Sequence, residues 1–251
     1  MIMGLNWNTS YLEVLPPQPD TVVLRLADPE TVAATEGERL ERLLSAEERD
    51  RLRGFRSEAA AAQFLVARGL LRLALSASAP VEPTDWRFEA GPHGKPRVAA
   101  PSIARDLRFN LSHTRGLVAL ALCEGFEVGV DVEEVRPLDV AELAPLALAP
   151  EERSALERLA PAERTERFYA LWTLKEAYAK ARGFGLSLPF PEIAFEPDGD
   201  GWRLARAPQE ASPATSWTFL ATRQTGRHRL AVAARAPGVA IVTAGALPRA
   251  D

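Results

Sequence analysis

Hydrophobic and polar positions change period along the chain, and the changes predict where its elements lie. Residues 21–26 (TVVLRL), 117–122 (LVALAL) and 128–132 (VGVDV) carry alternating or short continuous apolar runs between turn residues, the pattern of strands. Phe64, Leu65, Arg68, Leu71 and Arg72 follow helical spacing, and so do Phe168, Leu171, Trp172 and Tyr178. Ser45 stands three residues before Glu48, which predicts a helix opened by a capping box. Pro150 falls at the expected first position of a further helix, where a missing N–H costs nothing.

These elements recur. "LSAEERDRLRGF" begins at Leu44, and "LAPEERSALERL" begins at Leu148, 104 residues on. The same offset lays Phe64 on Phe168, and "FLVARGLLR" on "FYALWTLKE" without a gap. Further along, "WRFEAGPHGKPRV" resembles "IAFEPDGDGWRL", and "GLVALALC" has its counterpart in "HRLAVAARA". Upstream, "VVLRLAD" precedes the first copy as "VGVDVEE" precedes the second. Each copy therefore reads as a strand, a helix pair and two or three strands, which makes the chain an α+β protein of two similar halves. The period is far longer than that of solenoid repeats. The join is placed near Gly125, giving an N-terminal half of residues 1–125 and a C-terminal half of residues 126–251.

Composition narrows the picture. The chain has 251 residues, 47% hydrophobic and 25% charged, the balance of a folded protein and not of a disordered one. A formal charge of −4 offers no bulk attraction to nucleic acid. The longest apolar runs read as too short to cross a bilayer. The first residues, "MIMGLNWNTSYLEV", have no basic region followed by an apolar core, and the single cysteine, Cys123, has no disulfide partner within the chain. The expectation is a cytoplasmic protein with no membrane or nucleic-acid partner.

Three segments carry candidate chemistry. In "VGVDVEEVRP", Asp131 and Glu133 share one face of a strand while Val130 and Val132 take the other. Neighbouring like charges raise one another's pKa unless a cation lies between them. Oxygen ligands without thiolate suit Mg²⁺, or Mn²⁺. The alternative is a strand end in solvent whose acids are neutralised by Arg136. In "LWTLKEAYAK", Trp172, Glu176 and Lys180 share one helix face. A surface Glu–Lys pair has the same spacing, but the apolar residues around it leave little of this helix for solvent. In "FNLSHTRG", Ser112 and His113 read as a polar turn, able to hold a phosphate or simply to bond to its own backbone. "GPHGKP" resembles it, with Gly91 and Gly94 allowing close backbone approach and His93 and Lys95 beside them.

Taken together, "GKP", "FNLSH", "VGVDVEE" and "FYALWTLKEAYAKARGFGLSL", in this order on a duplicated frame, resemble the 4′-phosphopantetheinyl transferases, in particular the long surfactin-type branch. The resemblance runs from about Leu44 to Ala234. It implies a monomer of two similar halves. It implies transfer of the 4′-phosphopantetheine group of coenzyme A to a serine of an acyl or peptidyl carrier protein, with adenosine 3′,5′-bisphosphate leaving. It implies that Asp131, Glu133 and Glu176 bind Mg²⁺ against the pyrophosphate of coenzyme A, so that Asp131 also faces that substrate. Glu176 is the implied general base, directly or through water, and Lys180 neutralises charge on the phosphates. Arg51, Gly91, His93, Gly94, Lys95, Ser112 and His113 are the implied coenzyme A contacts. Ser112, His113 and Arg51 belong to its 3′-phosphate end, and residues 91–95 lie beside adenine. Two positions depart from the pattern: Glu48 stands where some members have a lysine, and His93 where a lysine is common.

Two rivals are a catalytically inactive module that binds coenzyme A or a carrier, and a metal-dependent phosphoesterase. Three acids with Lys180 exceed what binding alone requires, and a water-activating site usually gathers more histidines. The segment "PLDVAELAPLALAPEE" (137–152) has no lysine or arginine. It reads as a hydrophobic docking lip for the carrier, with Leu143, Leu146 and Leu148 as its apolar residues; the alternative is that these leucines pack beneath their own loop. No role is assigned to the tail "PGVAIVTAGALPRAD".

Overall fold

In the computed structural model, residues 16–91, 93–102, 106–208 and 216–244 are described. The N-terminal segment 1–15, Pro92 within "GPHGKP", and the end of the tail (245–251) lie outside them. The first half runs β1 (Thr21–Ala27), α1 (Pro29–Leu43), α2 (Ala46–Arg53), α3 (Glu58–Ser78), the hairpin β2 (Arg87–Ala90) and β3 (Pro96–Ala100), then β4 (Leu107–Thr114) and β5 (Leu117–Glu124). The second runs β6 (Val128–Glu134), α4 (Val140–Ala147), α5 (Pro150–Glu157), α6 (Pro161–Arg182), the hairpin β7 (Ala194–Asp198) and β8 (Gly201–Arg206), then β9 (Thr218–Gln224) and β10 (His228–Ala234). The repeat is therefore three-dimensional, and the fold is the expected duplicated α+β one. Gly125, with φ +88°, makes the turn between the halves.

Each half has three helices where the sequence reading gave two. Asp28 caps α1 through bonds of 3.0 Å to the N–H groups of Glu30 and Thr31, and Pro29 takes its first turn. Asp139 caps α4 in the same way. Pro145, a turn-like signal in sequence, stands inside the second turn of α4. The Ser45–Glu48 capping box is present, and Pro150 opens α5 as expected.

With a last strand β11 (Ala240–Thr243), the sheets run β11–β1–β5–β4 and β6–β10–β9. Helix α3 covers the outer face of the first sheet, burying Leu65, Val66, Leu70 and Leu71 against Phe109, Val118, Leu120 and Leu122. By length and composition α3 could cross a membrane, but here it is a core helix. Helix α6 covers the outer face of the second sheet, with Phe168, Leu171, Leu174 and Tyr178 in that core. The inner faces pack on each other: Val22, Leu24, Leu117 and Ala119 meet Val128, Val130, Val132 and Val232. Strands covered on both faces cannot alternate cleanly between apolar and polar. This is why "LVALALC" is continuous.

The two sheets also meet edge to edge. Asn110, Ser112 and Thr114, alternate residues of β4, accept hydrogen bonds from the N–H groups of Val130 (2.9 Å), Val132 (3.3 Å) and Glu134 (3.3 Å) on β6. Side chains thus replace a backbone ladder on an edge strand. Ser112 and His113 consequently lie on a strand, not in the turn expected from their polarity; the turn is Arg115 and Gly116, the latter at φ +74°. The tail also has a place. Strand β11 (Ala240–Thr243) pairs in parallel with β1, so the end of the second half completes the sheet of the first.

Candidate functional site

Strand β6 is flat against α6 because of Gly129. A Cβ there would lie 2.0 Å from the carbonyl oxygen of Ala177 and 2.5 Å from the nitrogen of Ala181. Asp131 and Glu133, next on that face, therefore look directly at the helix face that carries Trp172, Glu176 and Lys180.

The Lys180 ammonium donates to Asp131 Oδ1 at 2.5 Å and to Ser112 Oγ at 3.0 Å; the Ser112 hydroxyl donates to the same Oδ1 at 3.0 Å. Asp131 is only 3% exposed, and its Oδ2 is buried with no hydrogen-bond partner. A buried carboxylate oxygen left unpartnered is costly unless something outside the chain satisfies it. Glu176 is also buried. Burial first, then repulsion from Asp131, pushes its carboxyl up to about 7; Glu133 adds to the rise and Lys180 opposes it. Glu133 is raised by burial and by Asp131, against a hydrogen bond from Trp172. His113 is lowered by burial and by the nearby Lys180 charge.

Asp131 and Glu133 both oppose ionisation of Glu176, and Asp131 opposes that of Glu133; by chemistry, carboxylates with an orphaned oxygen are donors suited to a hard divalent cation. Among the described residues no group of three or more His, Cys, Asp or Glu side chains is placed to hold a metal ion. The lysine ammonium holds Asp131 Oδ1, where it partly offsets the negative charge.

The remaining predicted residues lie on other elements. Arg51 is on α2 with its guanidinium 5.1 Å from the ring centre of Phe64. It lines a cleft of about 320 Å³ with Phe64, Arg68, Phe88, Ala90 and Pro96. Glu48, which departs from the lysine pattern, binds Arg68 and Arg72 and so fastens α2 to α3. Gly91 donates to Lys95 O at 2.8 Å, and Gly94, at φ +83°, donates to Gly91 O at 2.9 Å, closing the β2–β3 turn. His93 is exposed and packs at 5.0 Å on the ring of Phe184. The Lys95 ammonium is held by Glu127 (2.5 Å), Val128 O (3.1 Å) and Ala181 O (3.1 Å), so it pins the hairpin to the end of α6. Arg136 pairs with Glu134, not with Asp131 or Glu133.

Beside Glu133 opens an apolar groove of about 580 Å³, lined by Leu143, Leu146 and Ala147 of α4, by Trp172 of α6 and by Pro189, Phe190 and Pro191. Leu146 is 73% exposed and Leu143 38%, whereas Leu148 is fully buried beneath the segment. Sequence reasoning missed the bond from Trp172 to Glu133, the part of Asn110 in joining the sheets, and the Lys175–Glu152 ion pair. The shared helix face of Trp172 and Glu176 was the available signal for the first.

On this duplicated α+β fold, Ser112 of the first half reaches into a buried acid-and-lysine centre on the second. Two family models match in tandem: that of the 4′-phosphopantetheinyl transferase N-terminal region over residues 33–124, and that of the 4′-phosphopantetheinyl transferase superfamily over residues 127–233. A 4′-phosphopantetheinyl transferase of Bacillus subtilis is 30% identical over 206 residues, covering 82% of this chain and 88% of its own. The transferase Sfp of Bacillus subtilis (strain 168) is 31% identical over 184 residues, covering 73% and 80%. Among solved structures, a holo-(acyl-carrier-protein) synthase from Bacillus anthracis in complex with CoA matches with a TM-score of 0.36 and 20% identity, over 44% of this chain and 96% of its own. The chain belongs to the 4′-phosphopantetheinyl transferase family.

Proposed function

We propose a division of labour among these residues for the family's reaction. The chain transfers the 4′-phosphopantetheine arm of coenzyme A to a serine of an acyl or peptidyl carrier protein. The serine oxygen forms a bond to the β-phosphorus, the bond from that phosphorus to the bridging oxygen breaks, and adenosine 3′,5′-bisphosphate leaves with the electron pair. Asp131, Glu133 and Glu176 would hold Mg²⁺ or Mn²⁺; when bound, the ion supplies charge withdrawal from the phosphates. The single observation that carries this assignment is the orphaned, buried Oδ2 of Asp131, a carboxylate whose Oδ1 accepts from Lys180 and whose charge acts on Glu176.

Glu176 is the residue assigned to accept the serine proton, directly or through one water. Lys180 neutralises charge on the phosphates, and Ser112 orients both Lys180 and Asp131. His113 and Arg51 face the 3′-phosphate end of the nucleotide. Gly91 and residues 93–95 lie beside adenine, with Lys95 holding their turn in place. The groove next to Glu133 takes an apolar helix face of the carrier beside its serine; its continuity with the acidic centre supports this occupant. We further propose that the protein acts as a monomer in the cytoplasm, without a membrane or nucleic-acid partner. Support comes from Ser112 of one half completing the centre of the other within one chain, from the acidic net charge, and from the lone buried cysteine.

The test is mass spectrometry of apo-carriers after incubation with coenzyme A, with Mg²⁺ or with a chelator. A gain of one phosphopantetheine on serine, lost on chelation and lost in Asp131→Ala and Glu176→Ala variants that remain folded, is expected. Glu133→Gln should be milder, since water can replace one ligand. Undiminished transfer by Asp131→Ala would remove the assignment.

A further inference from the structure

Lys175 precedes Glu176 on α6 but points the other way, into the protein, and is fully buried. Its ammonium has three donors, and three acceptors meet it: Ala147 O at 2.9 Å, Phe190 O at 2.8 Å and Glu152 Oε2 at 2.6 Å. Glu152 is itself fully engaged. Its Oε2 also accepts from the N–H of Ala149, and its Oε1 from the N–H of Phe195, both at 2.8 Å. One ion pair thus gathers four backbone groups.

Two of those groups define the apolar groove. Ala147 ends α4, the helix that presents Leu143 and Leu146; Phe190 begins a short turn that forms a second wall of the same groove. Both carbonyls rest on the same nitrogen. The first half has the same knot in another form: Glu48, the repeat equivalent of Glu152, accepts from the N–H of Ser45 and binds Arg72, which donates to Pro83 O and Trp86 O. The repeated device ties the segment after each long helix to the helix before it. In the second half that segment is one wall of the groove.

A buried ion pair adds little stability over well-packed apolar residues of similar volume. Directional bonds to two separate walls nevertheless fix a distance that apolar packing alone would leave adjustable. We propose that Lys175 is a positioning residue for carrier docking: by holding the Ala147 and Phe190 carbonyls on one ammonium, it sets the separation of the groove walls and thereby the affinity for the apo-carrier, not that for coenzyme A. This rests on the groove being the carrier's docking site.

The experiment measures KM for coenzyme A and for an apo-acyl carrier protein that accepts the arm, with full-length variants and excess Mg²⁺. Lys175→Met removes the three bonds. Lys175→Met with Glu152→Gln does so without leaving a lone buried carboxylate, and keeps the comparison available where the single variant fails to fold. Leu146→Asp reports on the groove itself. The expected result is a carrier KM raised about tenfold by the folded Lys175 variant and by Leu146→Asp, with KM for coenzyme A within about twofold of the parent. If Leu146→Asp raises the carrier KM and the Lys175 variants do not, the positioning role is wrong and the docking site stands. If Leu146→Asp leaves the carrier KM unchanged, the docking site is elsewhere and the role of Lys175 falls with it. A rise in both KM values together in the Lys175 variants would make Lys175 a general structural residue and overturn the proposal.

Discussion

Ser112 Oγ takes part in three contacts within 3.3 Å, to Lys180, Asp131 and the backbone of Val132, so one hydroxyl sets the geometry of two charged groups. Around it, proton and metal compete. Because the Glu176 carboxyl is raised from 4.5 to about 7 by burial and by Asp131, the folded protein holds that proton where the unfolded chain has lost it. A raised pKa contributes stability that is present below the unfolded value and is lost as pH rises through the folded one. In metal-free protein, the melting temperature should therefore fall as pH increases from about 4.5 to 7, and Glu176→Gln should flatten that slope. Mg²⁺ held as proposed would displace the same proton, so the melting-temperature gain on adding Mg²⁺ should shrink as pH drops from about 8 to about 6. A gain independent of pH would show that Glu176 is not a ligand. His113 makes a separate prediction. Loss of a charge-assisted phosphate contact costs roughly 1.5–3 kcal/mol. His113→Ala should raise KM for coenzyme A by that equivalent and leave KM for 3′-dephospho-coenzyme A little changed.

At the scale of elements, the site depends on how closely α6 approaches β6. Gly129 permits it: the missing Cβ is the space occupied by the Ala177 carbonyl. Gly129→Ala must push backbone apart, not a flexible side chain, and overpacking of this kind costs about 1–3 kcal/mol or more. It should lower the melting temperature. Because α6 carries Glu176 and Lys180 while β6 carries Asp131, it should also reduce kcat in protein that still folds. A stable Gly129→Ala variant with parental kcat would show that the approach of these elements does not govern the centre.

At the scale of the whole molecule, two halves with helices outside and sheets inside share one apolar seam and one row of polar bridges. The buried N–H of Val130 depends on Asn110 across that boundary. Asn110→Ala leaves it unsatisfied, a loss of about 1–3 kcal/mol. The measurement is denaturant unfolding monitored by Trp fluorescence. The expected result is a lower midpoint, with the slope unchanged because the same surface is exposed on unfolding. The pairing of β11 with β1 closes the same assembly from the other side, since the last described strand of the chain lies on its first.

The repeat at an offset of 104 residues, the capping box at Ser45 and the period-two alternation of Val128, Val130 and Val132 were legible in the linear chain, because each is a short-range pattern with a local cause. So was the candidate centre: acids two apart on a strand, and Trp172, Glu176 and Lys180 four apart on a helix, share a face by geometry alone. Polarity misplaced Ser112 and His113. Asn110, Ser112 and Thr114 look like a turn until β6 is beside them, since a polar side chain that bonds a distant backbone has no local signature. Pro145 concealed α4 in the same way, and nothing within "TLKEAY" says that Lys175 reaches Ala147, Glu152 and Phe190. By itself the sequence determined the elements, their duplication and the residue types of the centre. Tertiary structure alone decided which carboxylate oxygen is left without a partner and which lysine is buried. Burial and long-range hydrogen bonding depend on what lies across space, and periodicity along the chain does not encode that.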